Sequence, residues 1–232
     1  MRGLLITFEG TEGSGKSTQV NLLAERLRKI NFTVRTLREP GGTLIGEEIR
    51  HTLKHSESNH AMTAEAELLL MNASRAQLVR ELIRPALAAG EIVLCDRFYD
   101  STTAYQGYGR GLNLKLVQSV VDFAVGETRP DLTLLFTIPL EVSEARRSAR
   151  QALSLKSNAH KSAANKLPGT ARDRMEEADR GFFERVEKGY LAIAAREPER
   201  IRPIDATKTL AAVSASAWRL VQMLLNNRGA RR

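Results

Sequence analysis

The stretch that most restricts this chain is Gly10-Thr11-Glu12-Gly13-Ser14-Gly15-Lys16-Ser17, a G-x-x-x-x-G-K-S pattern close to the N-terminus. Leu4, Leu5, Ile6 and Phe8 before it read as a buried strand, and Val20, Leu22, Leu23, Ala24 and Leu27 after it recur at helical spacing. A glycine-rich loop between strand and helix is the setting that makes this pattern a phosphate-binding loop. Glycines let backbone N–H groups turn inward around phosphate oxygens with no Cβ in the way. The helix opening at Lys16 adds unpaired N–H groups and the positive end of its dipole. Lys16 is then expected to reach the β- and γ-phosphates, and the Ser17 hydroxyl to ligate Mg²⁺. Residues Gly10 to Ser17 therefore predict a nucleoside triphosphate site.

The rest of the chain supplies the matching scaffold. Thr33–Leu37, Glu91–Asp96, Leu132–Phe136 and Ile201–Ile204 read as further strands among helical segments, the pattern of an α/β fold with a parallel five-stranded sheet flanked by helices. Ile92-Val93-Leu94-Cys95 is apolar throughout, as in a central parallel strand. Asp96 ends that strand, where a P-loop protein keeps the carboxylate that orders the metal, and Arg97 follows at the same tip. Arg38-Glu39-Pro40-Gly41-Gly42-Thr43 also follows a strand, so it is expected to face the P-loop across the ligand crevice. A helix through Ile45, Ile49 and Leu53 carries Arg50. Residues 62–89 form the longest helical pattern, bent or interrupted near Pro85, with Met71 and Arg75 one turn apart on one face. Ser101–Gly111, rich in hydroxyls and glycines, reads as a binding loop. Further helices are expected around Leu114–Val125, from Glu141, over Arg174–Ala195 and about Leu210–Leu225.

Length bounds the architecture: 232 residues fit one domain, 1–232, with a full core. No apolar run is long enough for a membrane span, and the chain enters a strand directly rather than a signal peptide. Cys95 is the sole cysteine, which excludes an internal disulfide and fits a reducing cytoplasm. His51 and His55 lie one turn apart but without the Glu or Cys of a zinc site, so they read as exposed histidines. The net charge of +8 is concentrated: between Arg146 and Arg174 there are eight basic residues and one acid. Such a block suits nucleotide phosphates or a nucleic acid, and the scarcity of aromatics within it weakens the second reading. Residues 151–171, rich in Ala, Ser, Asn and Lys, read as a mobile loop.

Six separated motifs resemble the bacterial thymidylate kinases over nearly the whole chain: FEG-x-x-GSGKS at 8–17, REPGGT at 38–43, LLLMNASRAQLV at 68–79, DRF at 96–98, STTAYQGYGRG at 101–111 and DRMEEA at 173–178. The resemblance implies a P-loop three-layer fold with a mobile helical lid, transfer of the ATP γ-phosphoryl group to thymidine 5′-monophosphate (dTMP) for dTTP synthesis, Mg²⁺ as cofactor and a homodimer. It implies that Glu12 lies near the acceptor sugar and metal, that Arg75 binds the thymine edge and that Arg97 holds the acceptor phosphate beside the γ-phosphate. Tyr105 matches the tyrosine packed on the sugar. Thr102 and Gln106 sit where the base is read, and Arg50 joins the acceptor-binding set. Asp96 and Glu176 join Ser17 as metal-site residues. Because Gly13 stands where some members carry a catalytic arginine, the lid must supply it, from Arg146 or Arg150. Met71 replaces the family's usual aromatic, and a basic insertion enlarges the lid within about 146–176. A kinase for another nucleoside monophosphate and a P-loop ATPase acting on nucleic acid remain the alternative readings.

Overall fold

A computed structural model defines the fold. It describes residues 2–159 and 178–229, with the backbone alone at 57, 58, 150, 151, 153–159, 228 and 229. The strands are β1 (Leu4–Glu9), β2 (Val34–Arg38), β3 (Ile92–Asp96), β4 (Leu132–Thr137) and β5 (Ile201–Asp205). They form one sheet in the order β2-β3-β1-β4-β5, parallel at every pairing. The helices are α1 (Lys16–Lys29), α2 (Leu44–Lys54), α3 (Ala64–Leu78), α4 (Arg84–Ala88), α5 (Tyr99–Thr102), α6 (Leu114–Val125), α7 (Leu140–Ala159), α8 (Arg180–Arg196) and α9 (Leu210–Gly229).

Side chains of a strand alternate between faces, and here both faces are covered. Leu4, Ile6 and Phe8 pack with Leu94 and Leu134 against Val20, Leu23 and Leu27 of α1 and Val213, Ala217 and Val221 of α9. Leu5, Val93 and Cys95 pack on the other side against Leu68 and Leu78 of α3 and Val117 and Val121 of α6. This double cover explains why β3 reads as an apolar run up to Asp96, and β1 as apolar but for Thr7 and Glu9, rather than as alternating strands.

Register brings three loops together. Phe8 lies opposite Asp96, and Arg38 lies opposite Asp96 from the other side. The Arg97 N–H donates to Phe8 O at 3.0 Å, and the Glu39 N–H donates to Asp96 O at 3.0 Å. The P-loop, the Asp96-Arg97 tip and the loop after β2 therefore share one edge of the sheet, the carboxyl-end crevice of an open α/β fold.

Three expectations need correction. Ser101–Gly111 is not a loop: it continues α5 into a π-helical turn over Thr103–Gly109, most of it buried. Two of its glycines serve close packing, since a Cβ on Gly107 would lie 2.7 Å from the Leu114 side chain and one on Gly109 would lie 2.6 Å from the Phe182 ring. Within the expected loop 151–171, residues up to Ala159 extend α7, and the remainder lies outside the described residues. The long pattern over 62–89 is continuous but changes pitch at a π-helical turn, Val79–Ile83, just before Pro85. Proline offers no N–H and crowds the carbonyl one turn back, which favours that local widening.

Candidate active site

At the P-loop, Gly10 has φ 134° and a Cβ there would lie 2.3 Å from Phe136 O, so no other residue fits this approach to β4. Gly13 has φ 75° and sits under α7, where a Cβ would come 3.2 Å from the Arg146 Cβ and 3.3 Å from Ser143 O. Lys16 Nζ donates to Gly10 O at 3.0 Å and Thr11 O at 2.8 Å. Burial, with help from the nearby Arg97 charge, lowers the Lys16 amine to a pKa of about 8. Ser17 Oγ donates to Asp96 Oδ2 at 2.5 Å, which joins the two expected metal-site residues directly. Hydroxyl and carboxylate oxygens are the hard donors Mg²⁺ takes, so this pair fits that ion. Glu176, the third expected member, and Asp173 lie outside the described residues.

Arg97 is held in the left-handed region, φ 70°, a conformation that costs a non-glycine residue roughly 1–2 kcal/mol. Its surroundings hold it there. Glu9 Oε1 accepts from the Phe98 N–H at 2.7 Å, and Glu9 Oε2 accepts from Ser101 Oγ at 2.5 Å and Tyr190 Oη at 3.0 Å. The Arg97 side chain then reaches Glu12 Oε1 at 2.6 Å, Gly10 O at 3.1 Å and the Tyr105 hydroxyl at 3.2 Å. The sequence marks Glu9 only as an acid closing a strand that is apolar but for Thr7, and it gives no sign of the role of Tyr190.

Glu9 is fully buried, and burial together with the Asp100 charge raises its pKa to about 7. The native carboxyl thus keeps a proton that the unfolded chain releases near 4.5. Its contribution to stability is full below that value and is lost as pH rises through about 7. Urea unfolding across this interval is expected to show a decline that Glu9→Gln removes, of no more than ~3 kcal/mol. An unchanged slope in the variant would mean that Glu9 stays ionised.

Beside this tip lies a smaller pocket lined by Met71, Arg75, Thr102, Tyr105 and Gln106, with Pro40 and Ser101. Arg75, at 2% exposure, is among the most buried side chains of the described residues. Its Nη2 lies 2.6 Å from Glu39 Oε2, and its Nη1 donates to Asn72 Oδ1 at 2.8 Å. Burial raises the Glu39 pKa, and the Arg75 charge opposes that rise. Glu39 is another residue the sequence reading left without a role.

Next to this pocket lies a cavity of about 390 Å³ over the P-loop, lined by Gly13, Gly15, Lys16, Ser17, Asp96 and Arg146. Glu12, Glu39, Lys54 and Arg97 line both. Arg50 lines the P-loop cavity, with Nη1 donating to Pro40 O at 2.9 Å, and is not among the residues lining the smaller pocket. Arg146 donates to Gly13 O and Ala206 O, both at 3.2 Å, so this arginine of α7 lies against the P-loop. The Arg150 side chain lies outside the described residues. A cleft of about 520 Å³ between α7, α8 and the end of β5 is larger, but Glu141, Glu184, Glu187 and Asp205 line it, with Arg180 already paired to Glu141 and Glu184. Such a wall repels phosphate.

A family model described as thymidylate kinase matches residues 8–217. Thymidylate kinase of Ectopseudomonas mendocina is 47% identical over 225 residues, covering 97% of this chain and 98% of that protein. Thymidylate kinase of Alcanivorax borkumensis is 46% identical over 222 residues, covering 96% and 97%. The crystal structure of thymidylate kinase from Ehrlichia chaffeensis superposes with a TM-score of 0.72 at 31% identity, covering 96% of this chain and 99% of that one. A P-loop cavity sharing Arg97 with a second pocket, and relatives aligned over nearly the whole chain, agree: the chain belongs to the thymidylate kinase family.

Proposed function

We propose that this kinase transfers the γ-phosphoryl group of ATP to dTMP, forming ADP and dTDP on the way to dTTP. The observation that carries the reading is that Arg97 lines both cavities, so one guanidinium can face a donor phosphate and an acceptor phosphate together. Phosphoryl transfer spreads negative charge over the equatorial oxygens of the moving group, so catalysis rests on positioning and on fixed positive charge. In this reading the P-loop N–H groups and Lys16 hold the β- and γ-phosphates. Arg97 orients the acceptor phosphate, and Glu12, 2.6 Å away, holds its fork in place. Arg146, and Arg150 beyond it, close over the donor from the lid side. Tyr105 packs against the acceptor sugar, while Met71, Arg75, Thr102 and Gln106 surround the base. Ser17 and Asp96, with Glu176, would hold Mg²⁺, which neutralises phosphate charge when bound.

Further parts of the reading have separate support. One kinase domain over 1–232 agrees with a single sheet assembled from strands spanning Leu4 to Asp205. A reducing, cytoplasmic setting agrees with a lone, buried Cys95, and among the described residues no helix is long and apolar enough to cross a membrane. A homodimer agrees with Leu116 and Phe123, seven residues apart on one side of α6, and Leu69 on neighbouring α3, all exposed. Light scattering of Phe123→Glu is expected to give a monomer where the parent gives a dimer; a dimeric variant would exclude that face.

The reaction itself is tested with purified protein, ATP, magnesium and radiolabelled monophosphates. Labelled dTDP with a strong preference for dTMP over cytidylate and guanylate is the expected product. Even turnover of all acceptors would favour a broader monophosphate kinase, and hydrolysis stimulated by DNA would favour the ATPase reading.

A further inference from the structure

Gln106, at 1% exposure, enters the smaller pocket with its amide held from one side. Its Nε2 donates to Glu67 Oε1 at 2.8 Å. Glu67 is itself gripped by Arg110, whose Nη2 lies 2.9 Å from Oε2 and whose Nε lies 3.2 Å from Oε1. A carboxylate in such a fork offers only acceptors, so it must face the NH₂ end of the amide. The Gln106 carbonyl oxygen is thereby turned away from Glu67, and it accepts no hydrogen bond from a described residue.

Arg75 presents the complementary group. Of its five N–H donors, Nε and one on Nη2 go to Glu39, the other on Nη2 goes to Phe98 O, and one on Nη1 goes to Asn72 Oδ1. One Nη1 hydrogen is left without an acceptor among the described residues. The pocket thus offers a donor on Arg75 and an acceptor on Gln106, each locked by a buried carboxylate. Thymine and uracil carry a carbonyl at C4 beside an N3–H, which matches this polarity. Cytosine carries an amino group at C4 and a bare N3, the reverse.

We propose that Glu67 is a positioning residue for base selection: by fixing the Gln106 amide it makes that side chain accept from N3–H and refuse the bare N3 of cytosine. The inference rests on the reading of Gln106 and Arg75 as base-contacting residues. The physical need for Glu67 is clear from the amide torsion, which is broad and nearly two-fold. An untethered Gln106 turns over at little cost and presents NH₂ to cytosine as readily as oxygen to thymine.

The test compares kcat/KM for dTMP and for deoxycytidylate, with ATP saturating, in the parent, Glu67→Gln, Glu67→Gln/Arg110→Gln and Gln106→Ala proteins. A glutamine at position 67 offers a donor as well as an acceptor, so both Glu67 variants are expected to lower the dTMP preference by ~10-fold or more, part of it through a gain on deoxycytidylate. KM for ATP should stay at its parent value. The double variant leaves no unpaired buried guanidinium, so it keeps the test alive if the single variant fails to fold. Equal losses on both nucleotides, with the ratio unchanged, would reduce Glu67 to a structural residue and overturn the proposal. If Gln106→Ala lowers the preference and the Glu67 variants do not, the Glu67 inference alone falls. If Gln106→Ala leaves the ratio unchanged, the base-contact reading falls with it.

Discussion

Arg97→Ala is expected to lower kcat/KM for dTMP by ~10³-fold while ATP affinity changes far less. The asymmetry follows from where the side chain sits. Its contacts run to Glu12, Gly10 O and Tyr105 at the junction of the two cavities, whereas the P-loop N–H groups and Lys16 face the donor alone. Alanine adopts φ 70° with strain similar to that of arginine, and Glu9 still anchors Phe98 and Ser101, so the tip should keep its shape. Arg97→Lys should recover little, because a single ammonium cannot make two parallel contacts to a phosphate. Steady-state kinetics with each substrate varied, beside direct ATP titration, provides the check. Equal loss of donor and acceptor binding would contradict the role given to Arg97.

Lys16→Ala is expected to reduce turnover by ~10²–10³-fold and to weaken ATP binding, with the fold intact. The substitution removes a charge from the P-loop cavity and takes nothing from the three core clusters. The pH dependence is the sharper signature. Only the protonated amine carries charge, and in the free enzyme that proton leaves near pH 8, so kcat/KM for ATP should fall as pH rises past that value. The falling limb should be missing from the Lys16→Ala profile. A parent profile flat to pH 10 would mean that the amine is less buried than its contacts to Gly10 O and Thr11 O imply.

These two residues illustrate unequal legibility. Lys16 sits in a pattern whose every position has a local reason, so its role can be read without a fold. Arg97 stands at the tip of an apolar strand ending in Asp96, and its phosphate role comes from the resemblance that the DRF motif carries. Arg75 on its own reads as an ordinary surface arginine, yet it is buried by Glu39, 36 residues earlier, and by Phe98 O, 23 residues later. Glu9 and Tyr190 are 181 residues apart in the chain and share a hydrogen bond. The Ser101–Gly111 segment departs from its local reading for the same reason: glycines signal a break locally, and only the arrival of α8 shows that the missing Cβ of Gly109 makes room for Phe182.

By itself, the sequence determined the parallel sheet, the phosphate loop and the order of the functional segments, because apolar periodicity and glycine chemistry act over a few residues. Only the tertiary structure decided how Arg75, Arg97 and Gln106 are aimed. Each is oriented by an acid on another element: buried Glu39 for Arg75, half-buried Glu12 for Arg97 and buried Glu67 for Gln106. A hydrogen bond across the core depends on strand register and helix packing, and a chain read locally contains neither.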